Sequence, residues 1–369
     1  GAIAGLVNLI SKTPEDVPEL SFMANGTSAL GLDLSGFYSQ KFKTLGTTVF
    51  ASYNLGTPYD PADIGLTAIP EFDRFTLNPK LYWYLNDQTE LLIGLNAIWE
   101  DRLGGNMEHV KGKTVQAPYF ESNETERFST QLGFKHAFDD QNRLELKNSF
   151  SFYDRTIQIP DFTFSGYQRS SFSEITFSNA SEGGLEWVLG ANLWTEYFND
   201  VRNDQDGALD QSYEIFGLFA QNVWPINDIL SLETGFRADF HSDYGAMALP
   251  RISILYEPNQ ALTFRLGGGM GYKTPTVFTE DAERLQFRNV LPIDVDETDL
   301  ERSFGGNFDI NYKWIPFPGV TMSVNTLLFY TKINDPMMLA PNGNGFYLFE
   351  QSDGYVDTKG TEINLKVKY

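Results

Sequence analysis

The residues able to do covalent chemistry in this chain are few and scattered. Its three histidines, His109, His136 and His241, lie far apart, and cysteine is absent. Without a thiol there is no disulfide framework, no thiolate metal site and no cysteine nucleophile. Neither a Gly-x-Ser-x-Gly elbow nor a His-Glu-x-x-His helix occurs, so serine-hydrolase and zinc-peptidase chemistry lack their parts. His136 falls on an apolar strand face, which suits a packed histidine better than a ligand. His109 falls in a long connector with no partner beside it in sequence. The expectation is a protein that is not an enzyme and carries no cofactor of its own.

What remains is binding. Asp200, Asn203, Asp204, Asp206 and Asp210 crowd one connector. Asp204, Asp206 and Asp210 are the candidate calcium ligands, because hard cations need several oxygens. The bidentate Glu that usually closes a calcium loop is missing, and a solvated acidic loop has the same composition. Asp294, Asp296, Glu297 and Asp299 form a second acidic run, which reads as solvent-exposed. For a small-molecule or metal-chelate ligand the candidates are Arg102, Tyr119, Tyr167, Arg169, Arg284, Phe287 and Arg288. They are ring and guanidinium groups in long connectors, able to stack and to pair. The formal charge of -22 opposes a nucleic-acid partner, since phosphate binding needs clustered Lys and Arg.

Such residues need a frame, and residues 127–155 show its unit. Phe128, Leu132, Phe134 and Phe138 share one parity, while Arg127, Ser129, Gln131 and Lys135 hold the other. After Asp139-Asp140-Gln141-Asn142, Leu144, Leu146, Phe150 and Phe152 alternate with Arg143, Glu145, Lys147 and Ser149. A period of two puts alternate side chains on opposite faces of a strand, and the Asp/Asn tetrapeptide suits a tight antiparallel turn. Each arm is about ten residues, enough to cross a bilayer as a tilted strand. Similar pairs recur at 74–86 with 89–99, 170–179 with 186–197, 213–224 with 229–240, 249–256 with 261–272 and 303–314 with 319–333. A long final strand is expected over 346–369. On 319–333, Val320, Met322, Val324, Leu328 and Tyr330 would face lipid, and Thr321, Ser323 and Asn325 the lumen. With the opening segments at 19–26, 30–41 and 45–54, about sixteen strands result.

The connectors alternate in length. Lys43-Thr44, Asn86 to Gln88, Asp139 to Asn142, Ser181 to Gly184, Pro225 to Asp228 and Glu257 to Gln260 are short. Those at 55–73, 100–126, 154–169, 198–212, 241–248, 273–302 and 334–345 are mostly long. Short periplasmic turns and long extracellular loops are the plan of an all-β, antiparallel transmembrane β-barrel. No run approaches eighteen apolar residues, so a transmembrane helix is not expected. Aromatic content of 15%, with 30 Phe and 18 Tyr, fits girdles at two membrane interfaces. A passive sixteen-stranded porin and a soluble all-β binding protein are the alternatives.

In order along the chain, several segments resemble TonB-dependent outer-membrane receptors. Gly1-Ala2-Ile3-Ala4-Gly5-Leu6-Val7-Asn8-Leu9-Ile10-Ser11-Lys12 is similar to the end of that family's plug. Tyr272-Lys273-Thr274-Pro275 resembles its aromatic-basic-Ala-Pro segment, with Thr274 in place of Ala. Ser303-Phe304-Gly305-Gly306-Asn307 stands where a Ser-x-x-x-Glu strand start is usual, without the Glu. Gly354 to Glu362 resembles the late Gly-x-x-x-x-x-Gly-x-Glu element. The resemblance implies a plugged barrel of about 22 strands, of which about sixteen are visible. Residues 1–14 would be the end of the plug and 15–369 the barrel, incomplete at its C-terminus. It further implies import of a scarce bulky nutrient in the outer membrane of a Gram-negative bacterium, energised by TonB-ExbB-ExbD through the plug. A ferric siderophore is the expected ligand, with cobalamin or oligosaccharide as alternatives. Haem receptors of the family carry a histidine soon after the aromatic-basic-Ala-Pro segment, and residues 281–302 hold none.

Overall fold

The computed structural model describes residues 11–181, 183–201 and 209–369. The chain opens with β1 (Glu19–Gly26), β2 (Leu32–Phe42) and β3 (Leu45–Gly56). Then come β4 (Glu71–Asn86), β5 (Thr89–Gly105), a short helix α1 (Met107–Val110) and β6 (Phe120–Ala137). The hairpins β7 (Asn142–Ile159) with β8 (Phe162–Ala180) and β9 (Glu186–Asp200) with β10 (Gln211–Asn227) follow. Next are β11 (Leu230–His241), β12 (Gly245–Asn259), β13 (Leu262–Lys273) and a one-turn helix α2 (Glu280–Arg284). The chain ends with β14 (Glu301–Phe317), β15 (Val320–Asn334), β16 (Met337–Pro341), β17 (Tyr347–Gln351) and β18 (Tyr355–Lys368).

Sixteen strands make one antiparallel meander in which every strand pairs with its chain neighbour, in the order β1 to β15 and then β18. The expected strand count and hairpin register hold: Phe128 pairs with Phe152 and Phe134 with Leu146. The parity of each strand decides its environment. Leu81, Trp83, Ile93, Trp99, Phe128, Leu132, Phe150 and Phe152 all stand exposed on the outward face. A contiguous apolar belt of this extent is unfavourable in water and belongs against hydrocarbon. Polar groups occupy the inward face, where Asp33 accepts from Asn54 Nδ2 at 2.7 Å and from Asn25 Nδ2 at 3.0 Å. On β15, Leu328 and Tyr330 are exposed outward and the Asn325 amide donates to Asp309 at 2.8 Å.

Three expected boundaries change. Residues 154–169 are no loose loop: β7 and β8 continue through them, 18 and 19 residues long, and turn only at Pro160-Asp161. Asp161 takes φ +62°, the left-handed geometry that the second central residue of a type II turn needs after a proline. Alternation in this stretch persists with Ile157 and Phe164 buried, so the strands have a reason to continue past the membrane. The 241–248 connector shrinks to the three residues between His241 and Gly245. The long final strand is broken at Ser352 to Gly354, and β17 pairs instead with β16 as a separate hairpin in the loop layer.

The only compact apolar core among the described residues lies in that loop layer. Ile157, Phe164, Phe198, Leu209, Val277, Ala282, Phe287, Val290 and Phe349 form it. These residues come from four separate connections at the long-loop end, which the core fastens together.

Candidate functional site

Inward-facing residues spaced by two on β7 to β11 build one wall. Tyr153 and Arg155 come from β7, and Phe164, Gly166, Gln168 and Phe172 from β8. Asn192, Trp194, Glu196 and Phe198 come from β9, Tyr213 and Ile215 from β10, and Arg237 and Asp239 from β11. The period of two brings each set to the same face. The end of β13 closes the space with Tyr272 and Lys273, the segment after it with Thr274, Thr276 and Phe278, and α2 adds Glu283. Together they enclose a cavity of 830 Å³, large enough for a small-molecule ligand.

At its floor Asp239 is 2% exposed and uses both oxygens. Arg237 Nε donates to Oδ1 at 2.6 Å and the Tyr272 hydroxyl to Oδ2 at 2.9 Å. Arg237 Nη2 also donates to Asn192 Oδ1 at 3.1 Å. A buried carboxylate is tolerated only when paired and hydrogen-bonded in this way. Gly217 makes the cluster possible, because a Cβ there would lie 2.6 Å from Arg237 Nη2, Asn192 Oδ1 and Asp239 Oδ1. Higher on the wall, Glu196 accepts from Gln168 Nε2 at 2.7 Å and from Trp194 Nε1 at 3.2 Å. Lys273 Nζ pairs with Glu301 at 3.3 Å.

The segment 274–300 roofs the cavity. It leaves β13 with Gln211 Nε2 donating to the Pro275 carbonyl at 2.7 Å. The Thr279 hydroxyl caps α2 by accepting from the Ala282 amide at 3.3 Å. From α2, Glu283 reaches Arg155 on β7 at 2.8 Å, and Gln286 donates to Glu121 on β6 at 3.1 Å. Phe287 is fully buried and stacks on Phe164 with ring centres 4.3 Å apart. Backbone bonds between Leu291 and Tyr347 and between Tyr347 and Asn289, both 2.8 Å, bind the roof to the β16–β17 hairpin. Burial pushes the Tyr244 hydroxyl's pKa above its ordinary value, partly offset by a hydrogen bond shared with Thr298 at 3.1 Å.

None of the seven candidate ligand residues lines this cavity. Arg102 is inward but pairs with Glu100 at 3.1 Å and lies over Phe72. Tyr119 is exposed just before β6, and burial followed by the Glu121 charge raises its hydroxyl pKa. Tyr167 and Arg169 have the outward parity: Arg169 lies over Tyr167 at 4.9 Å and borders a groove with Phe150, Phe152 and Tyr197. Arg284 pairs on the surface with Glu280 and Asp281, Arg288 is exposed, and Phe287 packs in the loop core. Asp204 and Asp206 lie outside the described residues. Asp210 accepts from the Asp200 amide at 2.8 Å, and no group of three metal-ligating side chains occurs among the described residues. His136 shares a hydrogen bond with Thr89 at 2.9 Å between Phe134 and Phe138, and His109 packs on Phe120. His241 is buried between Tyr213 and Tyr244.

Sequence reasoning places ligand capture in the long loops and the upper lumen but names no residue of this wall. The signal was present in parity. The loop-side halves of β7 to β11 carry Tyr153, Arg155, Trp194, Glu196, Arg237 and Asp239 on the inward face, although charged residues such as Arg127, Lys135, Glu145 and Lys147 hold the same parity elsewhere.

The chain's backbone matches siderophore-receptor barrels at low identity. A mutant of the ferric enterobactin receptor from Pseudomonas aeruginosa superposes with TM-score 0.77 and 14% identity, over 98% of this chain and 62% of that one. The siderophore receptor PirA from Acinetobacter baumannii gives 0.75 and 14%, over 96% and 61%. The alcaligin outer-membrane receptor from Bordetella pertussis gives 0.70 and 13%, over 96% and 59%. The chain thus spans about three fifths of the length of these structures. Among curated proteins no sequence matches. The family model for the TonB dependent receptor-like β-barrel matches residues 37–369. With that match over most of the strands, and a sheet whose parity, loop asymmetry and meander order fit it, the chain belongs to the TonB-dependent receptor β-barrel family of outer-membrane transporters.

Proposed function

We propose that the chain is the barrel part of an active importer of a scarce, bulky nutrient, with a ferric siderophore as its cargo. The observation that carries this reading is the roofed 830 Å³ cavity on the inner wall at the long-loop end. Its rings and hydrogen-bonding groups offer a ligand both stacking surface and directional contacts. Arg102, Tyr119, Arg284, Arg288 and the Phe287-anchored roof would meet the ligand first, and Asp204, Asp206 and Asp210 are kept as candidate calcium ligands. Tyr167 and Arg169 face outward, where outer-membrane lipid and lipopolysaccharide are the proposed neighbours.

Residues 1–14 are proposed as the end of a plug and 15–369 as barrel. One contact supports an inner segment seated on the wall: Lys80 Nζ donates to Ser11 at 2.8 Å. TonB-ExbB-ExbD would act through that plug. A sixteen-stranded porin fits less well, because β1 and β18 are the two ends of the strand order rather than neighbours.

The test is uptake of radiolabelled ferric siderophores by cells expressing the natural full-length protein. Uptake that stops when the proton-motive force is collapsed supports the importer. Uptake indifferent to it, with steady conductance in planar bilayers, overturns it. Force-dependent uptake of an oligosaccharide or cobalamin alone would keep the importer and remove the siderophore.

A further inference from the structure

The charges around the cavity are balanced in a way that bears on what it admits. Its lining cations are Arg155, Arg237 and Lys273. Each already meets a carboxylate: Glu283 at 2.8 Å, Asp239 at 2.6 Å and Glu301 at 3.3 Å. An anionic ligand would therefore either displace a protein carboxylate or share a cation whose charge is already balanced. Separating such a pair leaves a carboxylate unpaired in a partly desolvated wall, which is costly.

Glu196 is the exception in the opposite sense. Its oxygens accept from Gln168 Nε2, Trp194 Nε1 and the Tyr213 hydroxyl, all neutral donors, and among the described residues no cation is paired with it. Four carboxylates thus face three cations in and beside the cavity, and the surplus negative charge sits on Glu196. Trp194 and Phe172 stand next to it, edge to face with ring centres 6.0 Å apart. A carboxylate beside aromatic faces attracts a cation and also suits a neutral ligand with hydroxyl or amide donors. It repels an anion.

We infer that the ligand of this cavity is uncharged or cationic, anchored at Glu196, and that polyanionic ligands are rejected. This rests on the cavity being the ligand site. It also narrows the proposed cargo to neutral or positively charged ferric chelates, and it would hold equally for a neutral saccharide.

Isothermal titration of the detergent-solubilised protein tests it with five probes. They are a neutral ferric trihydroxamate, a monocationic amine-bearing analogue, a trianionic ferric tris-catecholate, and a neutral and a uronic-acid hexasaccharide. The uncharged or cationic member of a binding set is expected to bind at least tenfold tighter than the anionic one. Glu196→Gln should weaken the cationic chelate, or the neutral saccharide if only saccharides bind, about tenfold. Heat-modifiable gel migration shows that the variant is still folded. Tighter binding of either anionic probe, or indifference of the affected ligand to Glu196→Gln, overturns the inference. Saccharide binding with no chelate binding removes the siderophore and leaves charge selection to be judged on the hexasaccharide pair. Silence from all five probes removes the cavity as the ligand site and the inference with it.

Discussion

Arg155 on β7 and Glu283 on α2 meet at 2.8 Å across 128 positions of sequence. The contact joins the roof that leaves β13 to a hairpin six strands away in the meander. Both side chains are partly solvated, so the pair itself contributes about 1 kcal/mol or less. Its importance is geometric, since it sets how far the roof reaches over the cavity. Replacing either residue with Ala should raise amide exchange across 274–300 while leaving the melting of the strands within 2 °C, a small shift for so modest an interaction. A double-mutant cycle should return a coupling of about 0.5 kcal/mol. Unchanged exchange in both single variants would show that the pair does not hold the roof.

Phe287 holds the same roof by packing. Phe287→Ala removes a fully buried ring that stacks on Phe164, a change that costs about 3–5 kcal/mol where it is felt. Because the loop core is separate from the lipid belt, the loss should be local. Limited proteolysis should cut within 274–300 in the variant and spare the strands. Cleavage spread through the strands would mean that loop layer and sheet unfold as one.

At the cavity floor, Gly217→Ala places a methyl 2.6 Å from three polar atoms. Either Arg237 or Asn192 must move, and overpacking of this kind costs about 1–3 kcal/mol. Ligand affinity should fall at least tenfold while the protein still inserts into membranes. Wild-type affinity would exclude the floor cluster from binding.

Parity can be tested directly. Leu132→Arg puts a cation on the outward belt of β6, at a cost of about 2–4 kcal/mol near the bilayer midplane. Gln131→Arg, one residue away on the inward face, should cost little. Denaturant titration of folding into vesicles compares the two, and equal penalties would contradict the assigned faces.

The β6–β7 turn should loosen in acid. Asp139 accepts from the Asn142 side chain and from the amides of Gln141 and Asn142, which holds its carboxyl below the ordinary value of 3.8. A depressed folded pKa contributes stability that is complete above the unfolded value and lost as pH falls through the folded one. Amide protection at Asn142 should therefore be constant from neutrality to about pH 4 and decline below it. Asp139→Asn should abolish that pH dependence, and a variant that retains it would assign the effect elsewhere.

The sheet was legible because parity is a property of adjacent residues. Phe128 to Phe152 announces its faces, and Asp139 to Asn142 its turn, with no knowledge of the rest of the chain. The cavity was not legible in the same way. Arg155, Glu196 and Asp239 lie on three different strands, and only register brings them together. Even so, ionic and aromatic residues at lumenal parity could have marked those strands. The loop core was hidden for another reason: Ile157 and Phe164 stand at the inward parity of a stretch that reads as a connector, while Phe287 lies in a stretch with no period. Arg169 lies outside the cavity, because a one-residue shift from Gln168 sends it to the opposite face.

The core that joins Ile157, Phe164, Phe198, Leu209, Val277, Phe287 and Phe349 constrains how such a barrel diversifies. Its connections are not independent modules. Exchanging one for a relative's equivalent would strand the apolar partners left behind, so a new specificity would be inherited as a set of co-replaced loops or written on the inner wall, one inward residue at a time.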